Sequence, residues 1–300
     1  MGSPEFAIPI LRAVVERYAV VGVVTQPDRP AGRGRLLTSP PVKLLAQEYD
    51  LPVIQPIKIN QPEAIEQLQA WDPKLIVVAA FGQILRQDVL NLPLYGCINV
   101  HASLLPRWRG AAPIQAAILN GEDHTGVTIM RMDIGVDTGP TLGQRAAPIL
   151  PEDTTTSLSE RLANLGAELL IDTLPGYLSG DIQPYPQEDS LATFAPMLKK
   201  EDGELDFNRS AAELAHRVRA LNPWPGAYTI WQNQSLKIHR VSAVSTNVGE
   251  GISTPGRHVV YQGLPAICTT QGLLVLDELQ PAGKKPMSGK VFLQGARNWA

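Results

Sequence analysis

The chain has 300 residues, 44 % of them hydrophobic and 18 % charged, with a formal net charge of −3. That length supports two domains and a sizeable core, and that composition excludes a disordered chain. No apolar run of about 18 residues marks a membrane span, and the reading expects no secretory leader and no metal site, since no Cys/His cluster has ligand spacing.

The first part of the chain alternates between helical and strand patterns. Residues 4–18 carry Phe6, Ile10, Leu11, Val14 and Val15 at helical spacing and predict a helix. Ala19 to Thr25 is a continuous apolar run, the pattern of a buried parallel strand. A Pro/Gly/Arg-rich loop reaches Pro41. A helix over 42–49, a short strand over 52–55 and a helix near 61–70 follow. Leu75–Ala80 and Gly96–His101 read as further buried strands. Pro113 sits in the first turn of a helix to Gly121, where a missing N–H is harmless. Thr125–Met132 and Thr141–Ile149 are later strands, and a helix from about 155 to 178 closes the unit. This alternation predicts a doubly wound α/β domain over residues 1–180.

Residues 181–200 are polar and proline-rich and read as a linker. From 201 to 300 the pattern changes. Ser210 is placed to cap a helix reaching Asn222, and short strands follow at 227–231, 235–244, 257–262, 265–270 and 272–279. Gly, Pro, Asn and Gln between them suit a small barrel. From Met197 onward six Lys and six Arg face eight acidic residues. A mildly basic third on an acidic body is either an uneven draw of charge or the footprint of a polyanion partner. Cys97 and Cys268 lie far apart in apolar contexts and read as reduced core residues of a cytosolic protein.

The chemistry concentrates in Gly96–Gln115, which starts as a strand and ends as a helix. Asn99 and His101 stand two apart on the strand and so share a face. Polar groups in so apolar a strand need a buried partner or a cleft, and open α/β sheets offer a cleft at the carboxyl ends of their strands. A strand-end histidine is often only a satisfied core residue. Two features favour chemistry: the loop Ser103-Leu104-Leu105-Pro106, and Asp137 in a bend where Gly135 and Gly139 permit a tight turn. Asn, His and Asp at one cleft make a general acid/base site with an oxyanion-stabilising amide.

INVHASLLPRWRGAAPIQ (Ile98–Gln115) followed by TGVTIMRMDIGVDTGP (Thr125–Pro140) resembles the 10-formyltetrahydrofolate-dependent formyltransferases. RWRGAAPIQ, together with TQPDRPAGRGR (25–35), LNPWPGA (221–227) and LQPAGKKPMSG (279–289), is similar to the branch whose acceptor is initiator methionyl-tRNA. The resemblance implies a Rossmann-like formyltransferase domain followed by an OB-like barrel that binds tRNA. It implies 10-formyltetrahydrofolate as co-substrate, no metal, no membrane, and a cytoplasmic monomer. It casts Asn99 as the donor to the developing oxyanion, His101 as the group at the formyl carbon and Asp137 as the residue that orients His101 and helps remove the amine proton. Ser103, Leu104, Leu105 and Pro106 would line the folate site.

The loop 26–36 is either a solvated surface loop or a basic finger in which Arg29, Arg33 and Arg35 meet the acceptor end of tRNA. Arg109 is either part of an ion-pair cluster at a helix start or a contact at the cleft mouth. Lys284 and Lys285 are a solvated turn or a phosphate contact. Family members carry a short apolar strand before the MGSPEFA turn, so the resemblance also implies that this first strand is missing, by truncation or by a mis-assigned start. Three rivals stay open: a formyltransferase with a small amine as acceptor, a hydrolase that gives the formyl group to water, and a nucleic-acid-binding barrel on an inactive α/β domain.

Overall fold

In the computed structural model, which describes residues 1–31, 36–245, 254–296 and 298–300, the predicted alternation becomes two units. The first comprises Met1–Pro113, His124–Pro148 and Ser159–Pro196; the second comprises Ile114–Asp123, Ile149–Leu158 and Met197–Ala300.

The chain runs α1 (Ile8–Arg17), β1 (Val23–Val24), β2 (Arg29–Ala31), β3 (Leu36–Thr38), α2 (Pro41–Glu48), β4 (Val53–Ile54), α3 (Pro62–Trp71), β5 (Ile76–Val78), α4 (Gln87–Leu90), β6 (Cys97–His101), β7 (Arg109–Gly110), α5 (Pro113–Leu119), β8 (His124–Arg131), β9 (Thr141–Pro148), α6 (Thr155–Ser179) and β10 (Phe194–Ala195). Prolines 41, 62 and 113 start α2, α3 and α5, where a ring that fixes φ and lacks an N–H does no harm. The main sheet has the order β5-β6-β8-β9. β5 and β6 are parallel, whereas β8 and β9 extend the sheet antiparallel. Beneath β5 and β6, Ile59, Leu68, Val78, Phe81, Val89 and Cys97 form one apolar cluster.

β1 pairs only with β4 in a separate two-stranded ladder. It is shorter than the apolar run predicts: Ala19–Gly22 enters no ladder, and the whole run Ala19–Val24 lines an apolar cavity of about 520 Å³. Two residues at the chain's start join β1 to β5. Gly2 N–H donates to Val24 O (3.1 Å), Ala79 N–H to Met1 O (2.9 Å), and the Met1 ammonium to Val77 O (2.6 Å). Met1 as a residue is half-buried, but its ammonium is enclosed, and that burial pushes its pKa down to about 6. A second departure lies in the loop after β1, where β2 and β3 form an antiparallel hairpin.

The second unit adds α7 (Ala211–Ala220), β11 (Ala227–Trp231), β12 (Gln234–Val244), β13 (His258–Tyr261), β14 (Leu264–Cys268), β15 (Leu273–Pro281), β16 (Met287–Ser288) and α8 (Gly289–Gly295). Its sheet is antiparallel in the order β11-β12-β15-β14-β13, with β16 on β15. The ladder between β12 and β15 slips at Ile238/Arg240 and Arg240/Val241, the kind of irregularity that bends a long strand. Ser210 caps α7 by accepting from Glu213 N–H, and the Glu213 carboxylate takes the Ser210 N–H in return. Leu214 and Val218 of α7 share a core with Ile267, Leu274 and Phe292. Trp299 closes that core, with Phe292 edge-on at 5.4 Å. Cys97 and Cys268 are buried free thiols. Among the described residues no helix is long and apolar enough to cross a membrane.

Candidate active site

β6 delivers Asn99 and His101 opposite Met130 and Thr128 of β8. Both are buried, at 9 % and 6 % exposure, so their polar atoms need protein partners. His101 Nε2 lies 3.0 Å from the Trp108 carbonyl. A carbonyl only accepts, so Nε2 carries the hydrogen and Nδ1 faces Asp137 Oδ2 at 3.6 Å. Asn99 Nδ2 donates to Asp137 Oδ1 at 3.3 Å. One hydrogen of that amide is thereby used, and the other has no partner among the described residues. Gly110 N–H donates to Asp137 Oδ2 at 2.9 Å. The carboxylate is therefore held by an amide side chain and a backbone N–H at once, with the imidazole 3.6 Å away.

The bend that carries Asp137 is built for this purpose. Asp133 Oδ1 accepts from Gly135 N–H (3.0 Å) and from the Thr138 hydroxyl (2.7 Å), which turns the chain. A Cβ at Gly135 would run into the Thr138 hydroxyl, and one at Gly139 into the Arg131 carbonyl. Asp137 itself has φ +53°. That left-handed conformation is strained for most side chains but tolerated by Asp.

The loop after β6 is braced from below. Thr128 Oγ1 donates to Ser103 O (2.7 Å) and accepts from Leu105 N–H (3.1 Å). Gln144 Nε2 donates to Leu105 O (2.6 Å), Arg107 N–H to Leu104 O (3.1 Å), and Thr193 N–H to Pro106 O (3.3 Å). All four carbonyls of Ser103–Pro106 thus already accept a hydrogen bond. Ser103 and Leu105 point inward, while Leu104 and Pro106 stay half-buried. The loop presents apolar surface more readily than backbone polar groups.

Arg109 departs from the expected cleft-mouth contact. It is 4 % exposed. Its Nε and Nη2 donate to Gln187 Oε1 at 3.0 and 2.9 Å, and Nη2 also donates to Asp189 Oδ1 at 2.7 Å. The guanidinium is spent on the 187–189 segment, so no tRNA contact is assigned to it. Sequence reading also missed three members of the site. Trp108 O and Gly110 N–H are backbone atoms that no residue type announces. Gln187 sits in the stretch that reads as a linker.

The formyl transferase family model matches residues 3–174, and the model for the C-terminal domain of formyl transferases matches residues 197–297. This chain belongs to the formyltransferase family. Among curated formyltransferases, the methionyl-tRNA formyltransferase of Citrifermentans bemidjiense is 50 % identical over 297 residues, covering 98 % of this chain and 92 % of that one. The methionyl-tRNA formyltransferase of Geobacter sulfurreducens is 49 % identical over 300 residues, covering 99 % and 93 %. Among solved structures, an N-formyltransferase from Helicobacter canadensis, in complex with folinic acid and dTDP-3-aminofucose, matches with a TM-score of 0.67 at 18 % identity, over 93 % of this chain and 97 % of that one. At that identity the match speaks to the formyltransferase fold alone.

The remaining predicted residues lie elsewhere on this formyltransferase. Arg29 is exposed on the β2–β3 hairpin and donates to Gln26 Oε1 at 3.1 Å. The hairpin's base is pinned by Asp28, which pairs with Lys43 Nζ at 2.7 Å and accepts from Gln55. Those two donors hold its carboxyl below the usual range. Arg33 and Arg35 lie outside the described residues. Lys284 and Lys285 are exposed in the turn between β15 and β16. Among the described residues, no group of three or more His, Cys, Asp or Glu could hold a metal ion.

Proposed function

We propose that this chain transfers the formyl group of 10-formyltetrahydrofolate to the free amino group of initiator methionyl-tRNA, giving N-formylmethionyl-tRNA for translation initiation. The observation that carries this reading is full-length likeness. Proteins named methionyl-tRNA formyltransferase align with 98–99 % of the chain at about half identity, across both units. A small acceptor or water as acceptor would require neither the β2–β3 hairpin nor the mildly basic C-terminal third.

The chemistry is acyl transfer to an amine. An α-amino group titrates near 8, so a fair fraction is neutral and nucleophilic at physiological pH. Its attack on the formyl carbon creates a tetrahedral oxyanion, which collapses with departure of the folate nitrogen. The unused hydrogen of Asn99 Nδ2 is the donor for that oxygen. His101, held through Nε2–H on Trp108 O with Nδ1 toward Asp137, stands beside the same oxygen and either aids it or moves the proton. Asp137 accepts the proton that the amine sheds, and the folate nitrogen takes up a proton as it leaves, so the transfer balances. Leu104 and Pro106 supply apolar surface for the folate, with Ser103 and Leu105 holding the loop in shape. Arg29 on the hairpin, Arg33, Arg35, and Lys284 and Lys285 on the second unit meet the tRNA phosphates.

The test is one assay with purified protein, 10-formyltetrahydrofolate and charged initiator tRNA, run beside a small-amine acceptor. Formylated tRNA is the expected product. Formate release without tRNA formylation makes the protein a hydrolase, and formylation of the small amine alone changes the acceptor class.

A further inference from the structure

The segment 181–196 reads as a linker, yet the structure ties it to the catalytic residues at several points. Tyr185 exchanges two backbone bonds with Thr141, both 2.8 Å, just past the Asp137 bend. Thr193 accepts from Trp108 N–H on its hydroxyl (2.9 Å) and from Arg109 N–H on its carbonyl (2.9 Å). Phe194–Ala195 pairs in parallel with Arg109–Gly110. Between these anchors stands Gln187, all of whose carboxamide is in use. Nε2 donates to Asp137 O (2.8 Å) and Gly139 O (2.6 Å), and Oε1 accepts both bonds from Arg109. The orientation is unambiguous, because the carbonyls only accept and the guanidinium only donates.

We propose that Gln187 is the positioning residue of the Asp137 carboxylate. It grips the backbone of the 137–139 bend with one end and Arg109 with the other. The residue after Arg109 is Gly110, whose N–H holds Asp137 Oδ2. One side chain thus fixes both the chain that carries the carboxylate and the strand that orients it. The left-handed φ of Asp137 makes such a grip necessary, since a bend in that conformation relaxes when its restraints go. Gln187 touches no substrate. A glutamate there would keep the Arg109 pair but set a carboxylate oxygen against two carbonyls. A leucine would lose both ends.

This inference rests on the acid/base role proposed for Asp137, and two readouts separate the two ideas. Gln187→Leu and Gln187→Glu are prepared in the full chain and checked for folding by circular dichroism. Single-turnover formylation slows by about 10–100-fold in both, the scale expected of a misplaced catalytic group, while KM for the folate and for tRNA stays near the unmodified value. In an Asp137→Asn background, Gln187→Leu adds no further loss, because the group it positions is already disabled. Independently of activity, backbone hydrogen exchange across 133–141 accelerates in both variants. Unchanged exchange in that bend overturns the proposal, as does additive loss in the double variant. An unmodified chain that exchanges as described but does not formylate tRNA overturns the proposed reaction and leaves the Gln187 grip standing.

Discussion

Asp137 takes one hydrogen bond on each carboxylate oxygen, from Asn99 on Oδ1 and from Gly110 on Oδ2. An asparagine there keeps an acceptor for Gly110 N–H and loses the charge. Asp137→Asn is therefore expected to lower kcat by about 10²–10⁴-fold, the usual range for removing a general base, with tRNA affinity in a filter-binding assay essentially unchanged. Asn99→Ala loses an oxyanion donor, and a loss of about 10²–10³ in kcat is expected. Tight binding lost in step with turnover would reassign either residue to structure. Much at this scale was legible in advance. Period-two spacing puts Asn99 and His101 together, and the glycines around Asp137 mark a bend that no larger residue tolerates. Arg109 was not legible. A lone arginine reads as exposed until Gln187 and Asp189, 78 and 80 residues away, close over it.

At the scale of elements, helices with strong local signals formed where they were expected. α7 begins at the cap that its Ser-x-x-Glu pattern announces, and both reciprocal bonds of that box are present. Ser210→Ala is expected to reduce the stability of the second unit by about 1 kcal/mol, measured by urea denaturation followed through Trp fluorescence. A shift well below that value would mean that the tertiary contacts of Leu214 and Val218 hold the helix start by themselves. Strands were less legible than helices, because a strand exists only with a partner. Ala19–Gly22 is as apolar as Val23–Val24, but only Val23 and Val24 pair with β4. The β2–β3 hairpin hides in a segment whose prolines and glycines read as loop. β7 and β10 are two residues each, too short for any periodicity, and they pair across 85 positions.

For the whole molecule, two histidines that burial holds below their ordinary value of 6.5, His216 and His258, make stability depend on pH. The unfolded chain takes up these protons first as pH falls, so their contribution is complete above about pH 7 and is lost on further descent. Denaturant titrations at a series of pH values test this, with His216→Gln and His258→Gln as controls. Each variant is expected to lose less stability between about pH 7 and about pH 5, and equal losses would place the effect elsewhere.

The join between β1 and β5 has a mechanical consequence. Three bonds from two residues span it, whereas β8 and β9 share a ladder of seven residue pairs. A sheet stitched so sparingly has a fault line, and thermal opening begins along it rather than through β6 and β8. Amides of Gly2 and Ala79 should then exchange with solvent far sooner than those of Val100 and Ile129. β6, which carries the proposed catalytic pair Asn99 and His101, lies on the sturdier side of that fault and keeps its shape while the other side breathes.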